Sequence, residues 1–258
     1  MKIAITGKGG VGKSTLSAAL CRSFAELGYN VLAVDADPDA NLALALGMDT
    51  GDASKIIPIS EMKDLVEERT GAPSGTYGST FKLNPKVDDI PERYATMFDG
   101  IKVLVMGSVD AGGTGCVCAE HVLLRNLMTH LILREKDVVI MDMEAGIEHL
   151  GRGTASGVDA FITVVEPGER SIQTYDKVKK LAGDIGVSNV MVIGNKITEK
   201  DDEEFIKGHV GEDNALGFIY YDKKISVSDR ENTSSYKASE SLKTAIQEIT
   251  QKLLDSVN

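Results

Sequence analysis

Basic residues are scarce in this sequence, and so is anything that could cross-link it or carry it through a bilayer. Lys and Arg total 28 against 39 Asp and Glu, a formal net charge of −11. That acidity repels phosphate backbones and argues against unaided nucleic-acid binding. Three cysteines in 258 residues are too few for a disulfide framework. No apolar run nears the roughly 20 residues needed to cross a membrane. The first residues already read as a strand, leaving no room for a secretory signal. Together these absences predict a cytoplasmic protein. Hydrophobic residues make up 42%, ample for a buried core. The length suits one α/β domain over residues 1–258 and by itself would also permit two.

Apolar, β-branched runs recur at 2–6, 30–34, 102–106, 137–142, 160–165, 189–193 and 216–219. Most lack in–out alternation, as expected of parallel strands covered on both faces. Helical patterns fall between them, at 14–27, 119–134, 169–185, about 200–208 and 237–257. The alternation predicts an α/β fold: a doubly wound, mostly parallel sheet with helices on both faces, its ligand at the carboxyl ends of the strands. No internal repeat or linker is visible. Residues 50–100, rich in Gly, Pro, Ser and charge, break the rhythm and read as a long insertion, either functional or mobile.

Residues 7–15 read Gly-Lys-Gly-Gly-Val-Gly-Lys-Ser-Thr, straight after Ile3-Ala4-Ile5 and before an amphipathic helix closed by Gly28. Gly7, Gly12, Lys13 and Ser14 match the spacing of a phosphate-binding loop. The backbone N–H groups of Gly9, Gly10, Val11, Gly12, Lys13, Ser14 and Thr15 can wrap a polyphosphate, because glycines let the chain approach closely. The helix N-terminus adds its positive dipole end. Lys13 reaches the β- and γ-phosphates, and the Ser14 hydroxyl can bind Mg²⁺. A second lysine, Lys8, follows the first glycine.

Further carboxylates end strands where a phosphate site would lie. Val34-Asp35-Ala36-Asp37-Pro38-Asp39 follows the second strand. Asp142 closes Val138-Val139-Ile140-Met141 in the Walker B pattern, which favours metal duty over helix capping. Ala145-Gly146 then supplies backbone able to approach a γ-phosphate. Asn195-Lys196 follows another strand. In guanine-reading proteins an Asp stands two residues beyond such a pair; here that place holds Thr198, so ATP fits better than GTP.

The double-lysine loop, Asp35-Ala36-Asp37, Asp142-Met143-Glu144-Ala145-Gly146 and Asn195 together resemble the deviant Walker A ATPases. That group includes the nitrogenase iron protein, division-site and plasmid-partition ATPases, and metallocentre assembly factors. The resemblance implies a nucleotide-sandwich homodimer in which Lys8 crosses to the partner's phosphates and Asp37 orients or activates the attacking water. A positive charge delivered in trans couples hydrolysis to dimerisation, as an arginine finger does.

Residues 112–118 read Gly-Gly-Thr-Gly-Cys-Val-Cys, just before a helix that starts near Ala119. Thiolates at a helix N-terminus have lowered pKa and suit soft metals. One Cys-x-Cys offers two ligands, short of the four that tetrahedral Zn²⁺ or a thiolate-rich site wants; a two-fold dimer supplies Cys116 and Cys118 twice. Standing alone, the pair reads equally as small residues in a turn. His121 reads as a surface or packing residue, and Cys21 as core.

The phrases Phe81-Lys82-Leu83-Asn84-Pro85-Lys86-Val87, Gly112 to Cys118 and Asp142 to His149 resemble the CooC-type ATPases. These accessory proteins assist nickel insertion into carbon monoxide dehydrogenase. The resemblance implies an ATP- and Mg²⁺-dependent homodimer that binds Ni²⁺ or Zn²⁺ between paired Cys116 and Cys118. It would hand nickel to apo carbon monoxide dehydrogenase or a related nickel enzyme such as acetyl-CoA synthase. Rival readings are an iron–sulfur or electron-transfer ATPase and a nucleotide-gated metal reservoir. A division-site protein would need a basic membrane-seeking tail. Here Lys243 and Lys252 are balanced by Glu248 and Asp255, so the last helix reads as packed on the domain, with no membrane partner.

Overall fold

The computed structural model describes residues 1–72, 80, 82–107, 119–131, 133–144 and 158–257. Its strands are β1 (Lys2–Gly7), β2 (Asn30–Ala36), β3 (Thr96–Phe98), β4 (Ile101–Val105), β5 (Asp137–Met143), β6 (Ala160–Val165), β7 (Val190–Ile197) and β8 (Ala215–Tyr220). They form one sheet in the order β3-β4-β2-β5-β1-β6-β7-β8. Every neighbouring pair is parallel except β3 with β4.

The helices are α1 (Lys13–Glu26), α2 (Leu42–Ala45), α3 (Thr50–Ala53), α4 (Lys63–Thr70), α5 (Ile90–Tyr94) and α6 (Ala119–His130). After them come α7 (Glu169–Asp184), α8 (Lys200–Val210), α9 (Lys223–Arg230), α10 (Ser235–Ala238) and α11 (Glu240–Val257). Among the described residues no helix is long and apolar enough to cross a membrane.

The unalternating strands are explained by two cores, one on each face of the sheet. Ile3, Ile5, Ala33, Val138 and Ile140 pack with Leu16, Leu20 and Phe24 of α1 and Leu242, Ile246 and Leu253 of α11. The residues between them in sequence, Ala4, Val34, Val139 and Met141, pack on the other face with Leu65, Leu123, Leu127, Tyr175 and Ile206. Successive strand residues point to opposite faces, and here both faces are covered, so apolar residues run without a break.

All seven expected strands form. Residues 50–100 hold more structure than their composition predicts: α3, a 3-10 turn at Ile59–Glu61, α4, α5 and β3 lie within them. Ile59, Leu65, Val66 and Ile90 are buried. Arg69, almost fully buried, ties this segment together through Asp89 at 2.8 Å and the Lys86 carbonyl at 3.3 Å. Composition hid these elements because each is only three to eight residues long. Residues 73–79 and Phe81 lie outside the described part. The helix expected over 237–257 breaks at Ser239. Its hydroxyl accepts the Leu242 N–H at 3.1 Å and donates to Asp222, which makes it a cap for α11. Helix α9 has no counterpart in the sequence pattern.

Candidate nucleotide-binding site

The loop between β1 and α1 is shaped by left-handed glycines. Gly10 has φ 79 and Gly12 φ 96, conformations that a side chain makes costly. A Cβ at Gly12 would also sit 2.5 Å from Asn195 Nδ2. At Gly9 and Gly10 added atoms would meet nothing within 4 Å, so the loop's outer wall is open to a ligand. Helix α1 starts with no side-chain cap and no acidic residue in its first turn. Its orphan N–H groups and dipole are left for an anion.

Lys13 is buried to 8% exposure and points at Asp37, Nζ to Oδ2 3.7 Å. Asp37 stands on the turn that leaves β2. That turn is tied down by Asp35, whose fully buried carboxylate accepts the Asp37 N–H at 3.2 Å and the Leu42 N–H at 2.8 Å. Asp37 in turn accepts the Asp39 N–H at 3.0 Å. Burial pushes the Asp35 carboxyl up to about 7, against the pull of the Leu42 N–H; the nearby Asp142 charge adds to the rise.

Asp142, also fully buried, is the register partner of both Ile5 and Asp35. Ser17 on α1 donates to its Oδ1 at 3.2 Å, while Oδ2 has no hydrogen-bond partner among the described residues. Burial raises its carboxyl to about 6, although the Ser14 hydroxyl and the Lys13 ammonium pull it down. A buried carboxylate oxygen without a partner is costly unless a cation or ordered water meets it. An unpartnered carboxylate oxygen near a helix-start hydroxyl is the oxygen donor set that suits Mg²⁺.

On the other side of the loop, Asn195 Nδ2 donates to the Val11 carbonyl at 2.7 Å, and Lys196 Nζ to the Gly10 carbonyl at 2.8 Å. Lys196 also pairs with Glu166 at 2.5 Å. Glu166, Pro167, Gly168 and Arg170 line a cleft of about 450 Å³ with Lys8, Gly9 and Gly10. Lys8 is exposed, and no ion pair or side-chain hydrogen bond ties its ammonium among the described residues. Thr198 hydrogen-bonds Asp202 through both N–H and hydroxyl, which fixes the turn after β7.

The structure thus gathers Lys8, Lys13, Ser14, Asp37, Asp142 and Asn195 around one loop. Asp35 and Lys196, present in the sequence only as parts of the Asp35-Ala36-Asp37 and Asn195-Lys196 segments with no role given, join them, as do Ser17 and Glu166. Asp35 did carry a signal, as an acid closing an apolar strand. Ser17 carried one too, three residues past Ser14 on the buried side of α1. Cys116, Cys118, Ala145, Gly146 and His149 lie outside the described residues, as does the His121 side chain. Among the described residues no group of three or more His, Cys, Asp or Glu is placed to hold a metal. Cys21 is buried in α1, and burial pushes its thiol far above the usual range, as befits a core residue.

A parallel sheet with a glycine loop running from its central strand into an uncapped helix, flanked by buried strand-end carboxylates, defines a P-loop nucleotide-binding protein. The CbiA family, described as the CobQ/CobB/MinD/ParA nucleotide binding domain, matches residues 2–235, and the chain belongs to it. It is 46% identical over 257 residues to the carbon monoxide dehydrogenase accessory protein CooC of Rhodospirillum rubrum, covering 100% of this chain and 97% of that protein. Among solved structures it is similar to the MinD cell division protein of Aquifex aeolicus, with TM-score 0.67, 21% identity and coverage of 98% and 96%. A ParA family ATPase from Chlorobium tepidum gives TM-score 0.71 at 16% identity, covering 97% and 98%. These two likenesses are of fold.

Proposed function

We propose that this chain is an accessory ATPase of carbon monoxide dehydrogenase, a cytoplasmic homodimer that hydrolyses ATP and assists nickel insertion into the apo-enzyme or a related one. The observation that carries this reading is the 46% identity to CooC along the whole chain. The site geometry supports it. In this reading the chain works as one P-loop unit over residues 1–258, its described strands joined in a single sheet.

In this reading the loop N–H groups of residues 9–15 and the α1 dipole hold the triphosphate of ATP. Lys13 neutralises the charge that gathers on the β- and γ-phosphates. Asp37, 3.7 Å from Lys13, orients the attacking water at the γ-phosphate. Mg²⁺, when bound, would be held by Ser14 and, directly or through water, by Asp142, and would neutralise phosphate charge. Gly146 offers backbone toward the γ-phosphate, and Asn195 holds the loop beside the nucleoside. Lys8, exposed and unpaired among the described residues, reaches across a two-fold axis to the partner's phosphates, so hydrolysis needs both copies.

The cargo is Ni²⁺ or Zn²⁺, gripped by Cys116 and Cys118 from each copy. Four thiolates then exist only while the subunits are together, and ATP turnover becomes the signal for release.

The test is sedimentation and ATP turnover of wild type and Lys8→Ala, with Mg-ATP and one metal per dimer supplied. Wild type should dimerise and turn over, whereas Lys8→Ala should bind nucleotide yet stay monomeric. A wild type that remains monomeric, or a brown cluster-bearing dimer after anaerobic purification, overturns the chaperone reading.

A further inference from the structure

Asn195 and Lys196 stand at an irregularity of β7. Its register with β8 shifts between Gly194 and Ile197, and Lys196 has φ 57. Consecutive strand residues normally point to opposite faces, whereas a bulge re-aims a side chain. Here both side chains reach the same target, the phosphate loop, and take hold of two successive carbonyls, Val11 and Gly10. A lysine in the left-handed region persists only where its surroundings over-determine it. The Gly10 carbonyl at 2.8 Å and the Glu166 carboxylate at 2.5 Å do so.

We infer that Lys196 is a positioning residue of the phosphate loop, which acts with Asn195 and Glu166 to aim the loop's N–H groups at a polyphosphate. In a trans peptide the C=O and N–H of one unit point in opposite directions. Drawing the Gly10 and Val11 carbonyls outward turns the N–H groups of Val11 and Gly12 toward the loop's inner side. Successive N–H groups aimed at one point form an anion-binding nest. Among the described residues the Val11 N–H is engaged by the Lys8 carbonyl alone, at 3.3 Å, a long bond that a phosphate oxygen can replace. Glu166 fixes the ammonium from the other end and joins the loop to the turn between β6 and α7. The cleft beside Lys8 is therefore built on the same clamp.

This role rests on the nucleotide-binding reading of the site, and its test separates the two. Mg-ADP and Mg-ATP affinities and steady-state ATPase would be measured for full-length wild type, Lys196→Met, Lys196→Arg and Glu166→Gln, with the melting of each nucleotide-free protein as a control. Lys196→Met should bind both nucleotides about tenfold more weakly, the scale of one lost charge-assisted hydrogen bond. KM should rise while kcat falls by less than about threefold, the pattern of lost uniform binding. Lys196→Arg should recover most of the affinity, and Glu166→Gln should lose about threefold. If Lys196→Met melts early, Glu166→Gln carries the decision. Wild-type affinity in the folded Lys196→Met, or in Glu166→Gln where that variant decides, overturns the clamp alone. A wild type that binds neither nucleotide overturns the nucleotide reading and the clamp with it.

Discussion

Asp35 and Asp142 are register partners on the adjacent parallel strands β2 and β5, both with no solvent exposure. Their carboxyls are raised to about 7 and about 6. Two buried acids side by side disfavour each other's charge unless a cation or a proton intervenes.

Nucleotide-free protein should therefore lose stability as pH rises from the acid range to neutrality. The folded Asp35 carboxyl lies above its ordinary value of 3.8, so the folded chain holds a proton that the unfolded chain releases. Stability is then greatest on the acid side and falls between about pH 4 and pH 7, by up to about 4 kcal/mol. Asp35→Asn, which mimics the protonated form, should flatten that fall in urea melts taken across the range. An unchanged slope would refute the assignment.

Asp142→Asn should weaken Mg²⁺ dependence while sparing binding of the nucleotide itself. Losing a carboxylate that holds the ion through water costs about 10- to 100-fold in metal affinity or turnover. ATPase titrated with Mg²⁺, compared with metal-free ADP binding, checks this. Equal losses in both would mean the variant had damaged the loop instead.

Gly7→Ala should destabilise the fold by about 1–3 kcal/mol. Gly7 has φ 151, and a Cβ there would lie 2.6 Å from the backbone carbonyl oxygen of Val164, which cannot swing aside as a side chain could. Chemical denaturation is the measurement. Gly9→Ala, where an added carbon meets nothing within 4 Å, should change stability little.

Cys116→Ser or Cys118→Ser should abolish nickel and zinc binding and leave ATP affinity nearly intact. Metal analysis of the dimer beside nucleotide titration reads both. One metal per dimer retained by both variants would remove the shared-thiolate site.

Much of this protein was legible before any fold was seen. The phosphate loop, the strand-ending Asp142 and the unbroken apolar strands are local patterns, set by backbone geometry and burial over a few residues. The short helices and edge strand within residues 50–100 were not legible, because elements of three to eight residues leave no period to count. Their stability comes from distant partners, such as Arg69 on Asp89.

Sequence by itself determined the chemistry on offer: a polyphosphate loop with two lysines, acids at strand ends, and a Cys-x-Cys. Tertiary structure alone decided which of these groups meet. Strand order placed Asp142 beside Asp35, 107 residues away in the chain. A bulge in β7 turned Lys196 onto Gly10, 186 residues distant. Such pairings follow from sheet register and crossover, and those are fixed by burying both faces of one sheet at once.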